Sequence, residues 1–158
     1  MQSVNISVEV SGPPIELTES LSLRKFRLTD HDLGITSREI RQLHYKGWPD
    51  HGVPSDSSLA SFMQMFEIFT YMLLSSDPSE KAIVHCSAGI GRTGTTIGLA
   101  HLITQLWAQK NQGVEDPLIS VFSTIRRLRE QRYHLVQMPG QYEFIHDFLR
   151  DYLAETNF

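Results

Sequence analysis

Apolar and polar residues alternate at the start of the chain: Val4, Ile6, Val8 and Val10 share one parity, Asn5, Ser7 and Glu9 the other. That period of two predicts a half-buried strand, which Gly12-Pro13-Pro14 ends. A second strand is predicted over Leu21 to Leu28. There Leu21 and Leu23 share one parity and Phe26 and Leu28 the other, so a bulge or break should interrupt it. These two strands can pair antiparallel across the loop between them. Asp30 to Thr36 reads as a polar connection, and Arg38 to Lys46 as a third strand leading to Trp48. The period then changes. After N-cap candidates at Ser55 to Ser58, the residues Leu59, Phe62, Met63, Phe66, Phe69 and Leu73 recur at helical spacing and predict a core stripe.

Ser75 to Lys81 reads as a turn. Ala82 to Cys86 is short and continuously apolar, as expected of a central strand buried on both faces. A glycine-rich loop follows, then a helix with Ile97, Leu99, Leu102, Ile103, Leu106 and Trp107, apolar on most sides and so predicted to be the buried one. Asn111 to Glu115 reads as a surface link. Asp116-Pro117 supplies an N-cap and first-turn pair for a third helix carrying Leu118, Val121, Phe122, Ile125 and Leu128. Tyr133 to Gly140 is a loop holding Gln137, and Pro139 starts a last helix with Phe144, Ile145, Phe148, Leu149 and Tyr152 inward. Without repeats or linkers, the chain reads as a single domain over 1–158.

Composition narrows the function. Hydrophobic content of 41% with 20% charged residues is that of a folded domain rather than a disordered chain. A formal charge of −4 gives no footprint for nucleic acid. Two local basic clusters (Arg24, Lys25 and Arg27; Arg126, Arg127, Arg129 and Arg132) read as solvated faces, with attraction of acidic, phosphorylated peptides as the functional alternative. One cysteine excludes an internal disulfide and a multi-cysteine metal site. The start of the sequence has no signal-peptide pattern and no run reaches transmembrane length, so the expectation is a cytoplasmic protein with no membrane partner. The Asn5-Ile6-Ser7 sequon carries no meaning in that setting.

The chemistry concentrates in His85-Cys86-Ser87-Ala88-Gly89-Ile90-Gly91-Arg92-Thr93-Gly94. A tight glycine loop between a strand and a helix aims backbone N–H groups and the helix N-terminus at one point, which makes an anion cradle. Oriented amides, the helix dipole and Arg92 would all favour thiolate at Cys86. Arg92 can offer two phosphate oxygens a planar fork of donors. A nucleophile at the floor of such a cup is a phosphoryl-transfer site that needs no metal or other cofactor. Gly89-x-Gly91-x-x-Gly94 also matches a dinucleotide fingerprint, with Glu115 downstream, but Cys86 and Arg92 suit that turn poorly and the two-strand unit it requires is missing. A Walker loop would need a Lys before Thr93 or Thr95.

The loop resembles the signature of the cysteine-dependent protein tyrosine phosphatases: His85-Cys86, five residues, then Arg92-Thr93-Gly94. Trp48-Pro49-Asp50-His51-Gly52-Val53-Pro54 looks like that family's mobile acid loop, and Gln137-Met138-Pro139-Gly140-Gln141-Tyr142 resembles its glutamine loop. The resemblance implies an α/β fold, with a central mixed sheet flanked by helices, in an incomplete version matching the C-terminal part of the full domain. It implies hydrolysis of phosphotyrosine proteins through a cysteinyl phosphate. Cys86 would be the nucleophile, Asp50 the general acid and then base, Arg92 the phosphate clamp. Gln137 would position water and Thr93 would hydrogen-bond the departing thiolate. Backbone groups of Ser87, Ala88, Gly89, Ile90 and Gly91 would bind the phosphate, with Gln141 as a second glutamine and His85 bracing the loop. To donate a proton at neutral pH, Asp50 must close into a partly dry site.

Two departures matter. Met138 stands where the family commonly has Thr, and nothing before Trp48 resembles the family's N-terminal portion, which includes the loop whose aromatic side chain grips the phosphotyrosine ring. Pocket depth, and with it selectivity for tyrosine over serine, then lacks its wall. Sheet edges left without neighbours point to self-association or to a complementing N-terminal chain. A binding module with the cradle intact and turnover lost is the alternative from a different class.

Overall fold

The computed structural model describes residues 5–75 and 81–156, with the backbone alone at 35 and 36. Val4 of the first predicted strand and most of the predicted turn over 75–81 lie outside the described residues. The chain forms two compact units, one of residues 1–47 and 55–65, the other of 48–54 and 66–158.

The first unit is built on a sheet of four strands: β1 (Ile6–Val10), β2 (Ile15–Glu16), β3 (Leu21–Asp30) and β4 (Ile35–Tyr45). Strand β3 is central. It pairs with β1 from Ile6↔Asp30 to Val10↔Phe26, with β2 at Ile15↔Leu23, and with β4 from Leu21↔Tyr45 to Leu28↔Arg38. The α/β class with flanking helices holds, but every pairing among the described residues is antiparallel where the resemblance implied a mixed sheet, and the central strand expected over Ala82 to Cys86 is missing from it. No strand forms there among the described residues, and Ile83 is 87% exposed. A strand exists only through a ladder to a neighbour, and no described residue provides one. The parity switch in β3 is also not a bulge. The ladder runs regularly through Leu28, and the register shifts only between Leu28 and Asp30. Leu23 to Phe26 at the strand centre are half-buried on both faces.

Leu21 and Ser22 are buried at the start of β3, and Phe62 of α1 (Asp56–Ser75) is buried in the same unit. The Tyr45 and Phe62 rings sit 5.8 Å apart, and the Tyr45 hydroxyl donates to the Ser58 carbonyl at 2.9 Å. The Thr18 hydroxyl accepts from the Leu21 amide and donates to Ser61 Oγ, closing the bend before β3. By contrast, the apolar row of β1 is open: Val8 and Val10 are exposed, and Ile6 is too. A sheet face is buried only by a second layer, and the described residues put none over that row.

The second unit is helical. Helix α2 (Gly91–Asn111) buries Leu99, Leu102, Ile103 and Leu106, each worth about 1.5–3 kcal/mol when removed from water. It contacts both α3 (Val121–Gln131) and α4 (Pro139–Glu155), where Ile125, Ile145, Phe148 and Leu149 are buried. Helix α3 starts later than Asp116-Pro117 predicted. Ser120 is its N-cap, accepting from the Ser123 amide, while the Gln109 side chain bonds both the amide and the carbonyl of Leu118 and holds that residue outside the helix. Helix α4 begins at Pro139, as the sequence indicated, because proline needs no N–H in the first turn.

Candidate active site

The loop from Cys86 to Ile90 leads into the first turn of α2, and its geometry follows from a few contacts. Gly89 has φ +68°, a conformation that glycine adopts without steric cost, and its amide points at Cys86 Sγ from 3.2 Å. Turning the amides inward leaves the carbonyls outward, and Arg132 collects them: its Nε donates to Gly89 O at 2.9 Å and its terminal nitrogen to Ala88 O at 3.1 Å. Further on, a Cβ on Gly94 would lie 2.5 Å from the Val136 nitrogen, so only glycine lets the chain after α3 approach this closely.

Cys86 is half-buried and its thiol is lowered to about 7. Burial of the sulfur pushes it up. The Thr93 hydroxyl and the amides of Thr93, Gly89 and Ile90 outweigh that and bring it down. That hydroxyl is buried and has no other hydrogen-bond partner among the described residues. Arg92 lines the same cavity as the thiol. Its guanidinium donates to the Trp48 carbonyl at 3.1 Å, to Asp50 Oδ1 at 2.9 Å and to Ser87 Oγ at 3.0 Å. The sign of the thiol shift gives a test. Alkylation of Cys86 by iodoacetamide is expected to rise about tenfold per pH unit and level off near pH 7. A thiol at its ordinary value would keep climbing to pH 9, and that profile would contradict the cradle's effect.

The loop over 48–54, expected to carry the acid, is folded back on itself and anchored. Trp48 is buried against Phe144 (edge-on, 5.9 Å between rings), and its indole N–H donates to the Gly52 carbonyl at 2.7 Å. The Gln141 amide reaches the same carbonyl at 3.2 Å, while its Oε1 accepts from the Met138 amide. Gln141 is 1% exposed and packs against Gly91, where a Cβ would lie 3.0 Å from its nitrogen. It therefore joins acid loop, cradle and glutamine loop, and most of its bonding capacity is turned inward. Asp50, by contrast, remains 67% exposed at the loop tip, paired with Arg92.

One cavity of about 110 Å³ gathers these groups. It is lined by Cys86, Ser87, Ala88 and Gly91 together with Asp50, His51, Arg92, Gln137 and Gln141. Gly89, Ile90 and Thr93 stand behind the sulfur through their amides. His85 is exposed, and its ring nitrogen is 3.5 Å from the adjacent Cys86 carbonyl, at the outer limit of a hydrogen bond, so it braces little. The bracing belongs to two arginines that the sequence reading placed on a solvated face. Besides Arg132, Arg129 donates to the carbonyls of Leu135 and Val136, both at 2.8 Å. Their spacing of three residues, just ahead of the glutamine loop, was the available signal. The segment that Arg129 holds is strained: Val136 has φ +60°, a cost of about 1–3 kcal/mol for a residue other than glycine.

These features coincide with a family. The sequence pattern of the protein-tyrosine phosphatases matches residues 1–151, and the chain belongs to that family. It is 41% identical over 118 residues to human receptor-type tyrosine-protein phosphatase H and 39% identical over 151 residues to human receptor-type tyrosine-protein phosphatase alpha. Those matches cover 74% and 94% of this chain but only 10% and 17% of the relatives' lengths. A solved structure from work on the PTPN18 fingerprint on distinct HER2 tyrosine phosphorylation sites superposes with a TM-score of 0.77 at 30% identity. The chain spans 51% of that structure, with 98% of its own length covered.

Proposed function

We propose that this chain is a protein tyrosine phosphatase that hydrolyses phosphotyrosine through a cysteinyl phosphate. The observation that carries the reading is the lowered Cys86 thiol facing Arg92 and Asp50 across one small cavity. The Cys86 thiolate attacks phosphorus, the bond to the phenolic oxygen breaks, and Asp50 gives that oxygen its proton. Amides of the loop and Arg92 hold the equatorial oxygens. Water, positioned by Gln137, then attacks phosphorus. Asp50 takes its proton, the S–P bond breaks, and the Thr93 hydroxyl receives the departing thiolate.

Phosphotyrosine proteins of the cytoplasm are the proposed substrates. The order of the three motifs supports reading the chain as the C-terminal part of the domain, while a match to only about half of a solved phosphatase chain favours a second reading: a phosphotyrosine-binding module with weak turnover. The open apolar row of β1 supports self-association or complementation by an N-terminal chain. Steady-state hydrolysis of para-nitrophenyl phosphate at pH 5–8 separates the readings. Turnover supports the enzyme. Phosphopeptide binding with no product would replace it with the module.

A further inference from the structure

Residues 133–137 carry two left-handed residues outside glycine, His134 at φ +62° and Val136 at φ +60°. Val136 is the harder case, because its branched Cβ is least tolerant of that region. It is 1% exposed, so it has no room to relax outward. Its amide donates to the Ile90 carbonyl of the cradle at 3.1 Å, and its carbonyl accepts from Arg129 at 2.8 Å. The preceding carbonyl, Leu135 O, accepts from the same guanidinium. The residue that follows is Gln137, which lines the cavity with its Oε1 3.4 Å from the position a Cβ on Gly91 would take.

We propose that Arg129 is a positioning residue for the hydrolytic half of the reaction: by holding the Leu135 and Val136 carbonyls it keeps the strained turn that aims Gln137 at the cradle. The inference rests on the phosphatase reading. It assigns Arg129 a step-specific effect, because Gln137 acts only when water attacks phosphorus, the S–P bond breaks and Asp50 receives the water's proton. Formation of the cysteinyl phosphate uses Cys86, Arg92 and Asp50, whereas the Arg129 guanidinium is bonded to Leu135 and Val136. Loss of the guanidinium leaves two carbonyls without their donor and lets Val136 return to an ordinary conformation, carrying Gln137 away.

Rapid-mixing hydrolysis of para-nitrophenyl phosphate by the full chain tests this with Arg129→Met and Arg129→Lys. The Met variant is expected to lose about tenfold in kcat while kcat/KM, which reports only steps through phenol release, changes by less than about threefold. A burst of phenol approaching one equivalent should appear, because intermediate accumulates. The Lys variant keeps a donor for one carbonyl and should fall between, and it decides by the same split where the Met variant does not fold. A merely structural role would lower kcat and kcat/KM together without a burst, and that result overturns the proposal. An inert wild-type chain would instead overturn the phosphatase reading, and this inference with it.

Discussion

Cys86→Ser is expected to lower kcat toward para-nitrophenyl phosphate by at least about 10⁴-fold, as removal of a nucleophile from a cooperating set does. The substitution keeps the shape of the side chain and leaves the Gly89, Ile90 and Thr93 amides in place. What it removes is an atom those amides can ionise near pH 7: they bring a thiol to that range, whereas a hydroxyl starts far above it. Binding should therefore survive. A phosphotyrosine peptide measured by calorimetry is expected to bind the Ser variant within a few-fold of the wild type, because the clamp and the amides are intact. Turnover by the variant close to that of the wild type would show that the nucleophile lies elsewhere.

Asp50→Ala is expected to cost about 10²–10⁴-fold in kcat, the usual worth of a positioned acid. The informative part is how that loss varies with the leaving group. Phenols that depart readily need little protonation and should lose least, while an alkyl-substituted phenyl phosphate, closer to tyrosine, should lose most. A plot of log kcat against leaving-group acidity should be shallow for the wild type and steep for the variant. Equal losses across the series would mean that Asp50 acts through the fold of its loop, which Trp48 and Gln141 already anchor at Gly52, and not through its proton.

How much of this could be read from the sequence depended on whether a feature is local. The three motifs were legible because each is a short run whose residue types are demanded by the chemistry, and the structure brings Asp50, Cys86, Arg92, Gln137 and Gln141 to one cavity. Antiparallel pairing of β1 with β3 was legible from alternation. Ala82 to Cys86 was not, because an apolar run states a preference for burial while a strand also needs a partner. The pairing of Arg92 with Asp50 joins residues 42 apart, and no local pattern encodes it. Arg129 and Arg132 were misread for a related reason. Exposed arginines on a helix face look solvated until the carbonyls they hold, on another segment, are known.

The Arg92–Asp50 contact has a consequence for selectivity. The same guanidinium nitrogen that a phosphate oxygen needs is already occupied by a carboxylate of the chain itself. Any incoming anion is thus in competition with the chain's own carboxylate, and its affinity is a difference between two ion pairs rather than the strength of one. A phosphate dianion, with several oxygens to share among Arg92 and the loop amides, wins that exchange. Chloride or a free carboxylate has no such advantage over the resident group, so the ion pair is expected to weaken binding of the common anions more than that of phosphate.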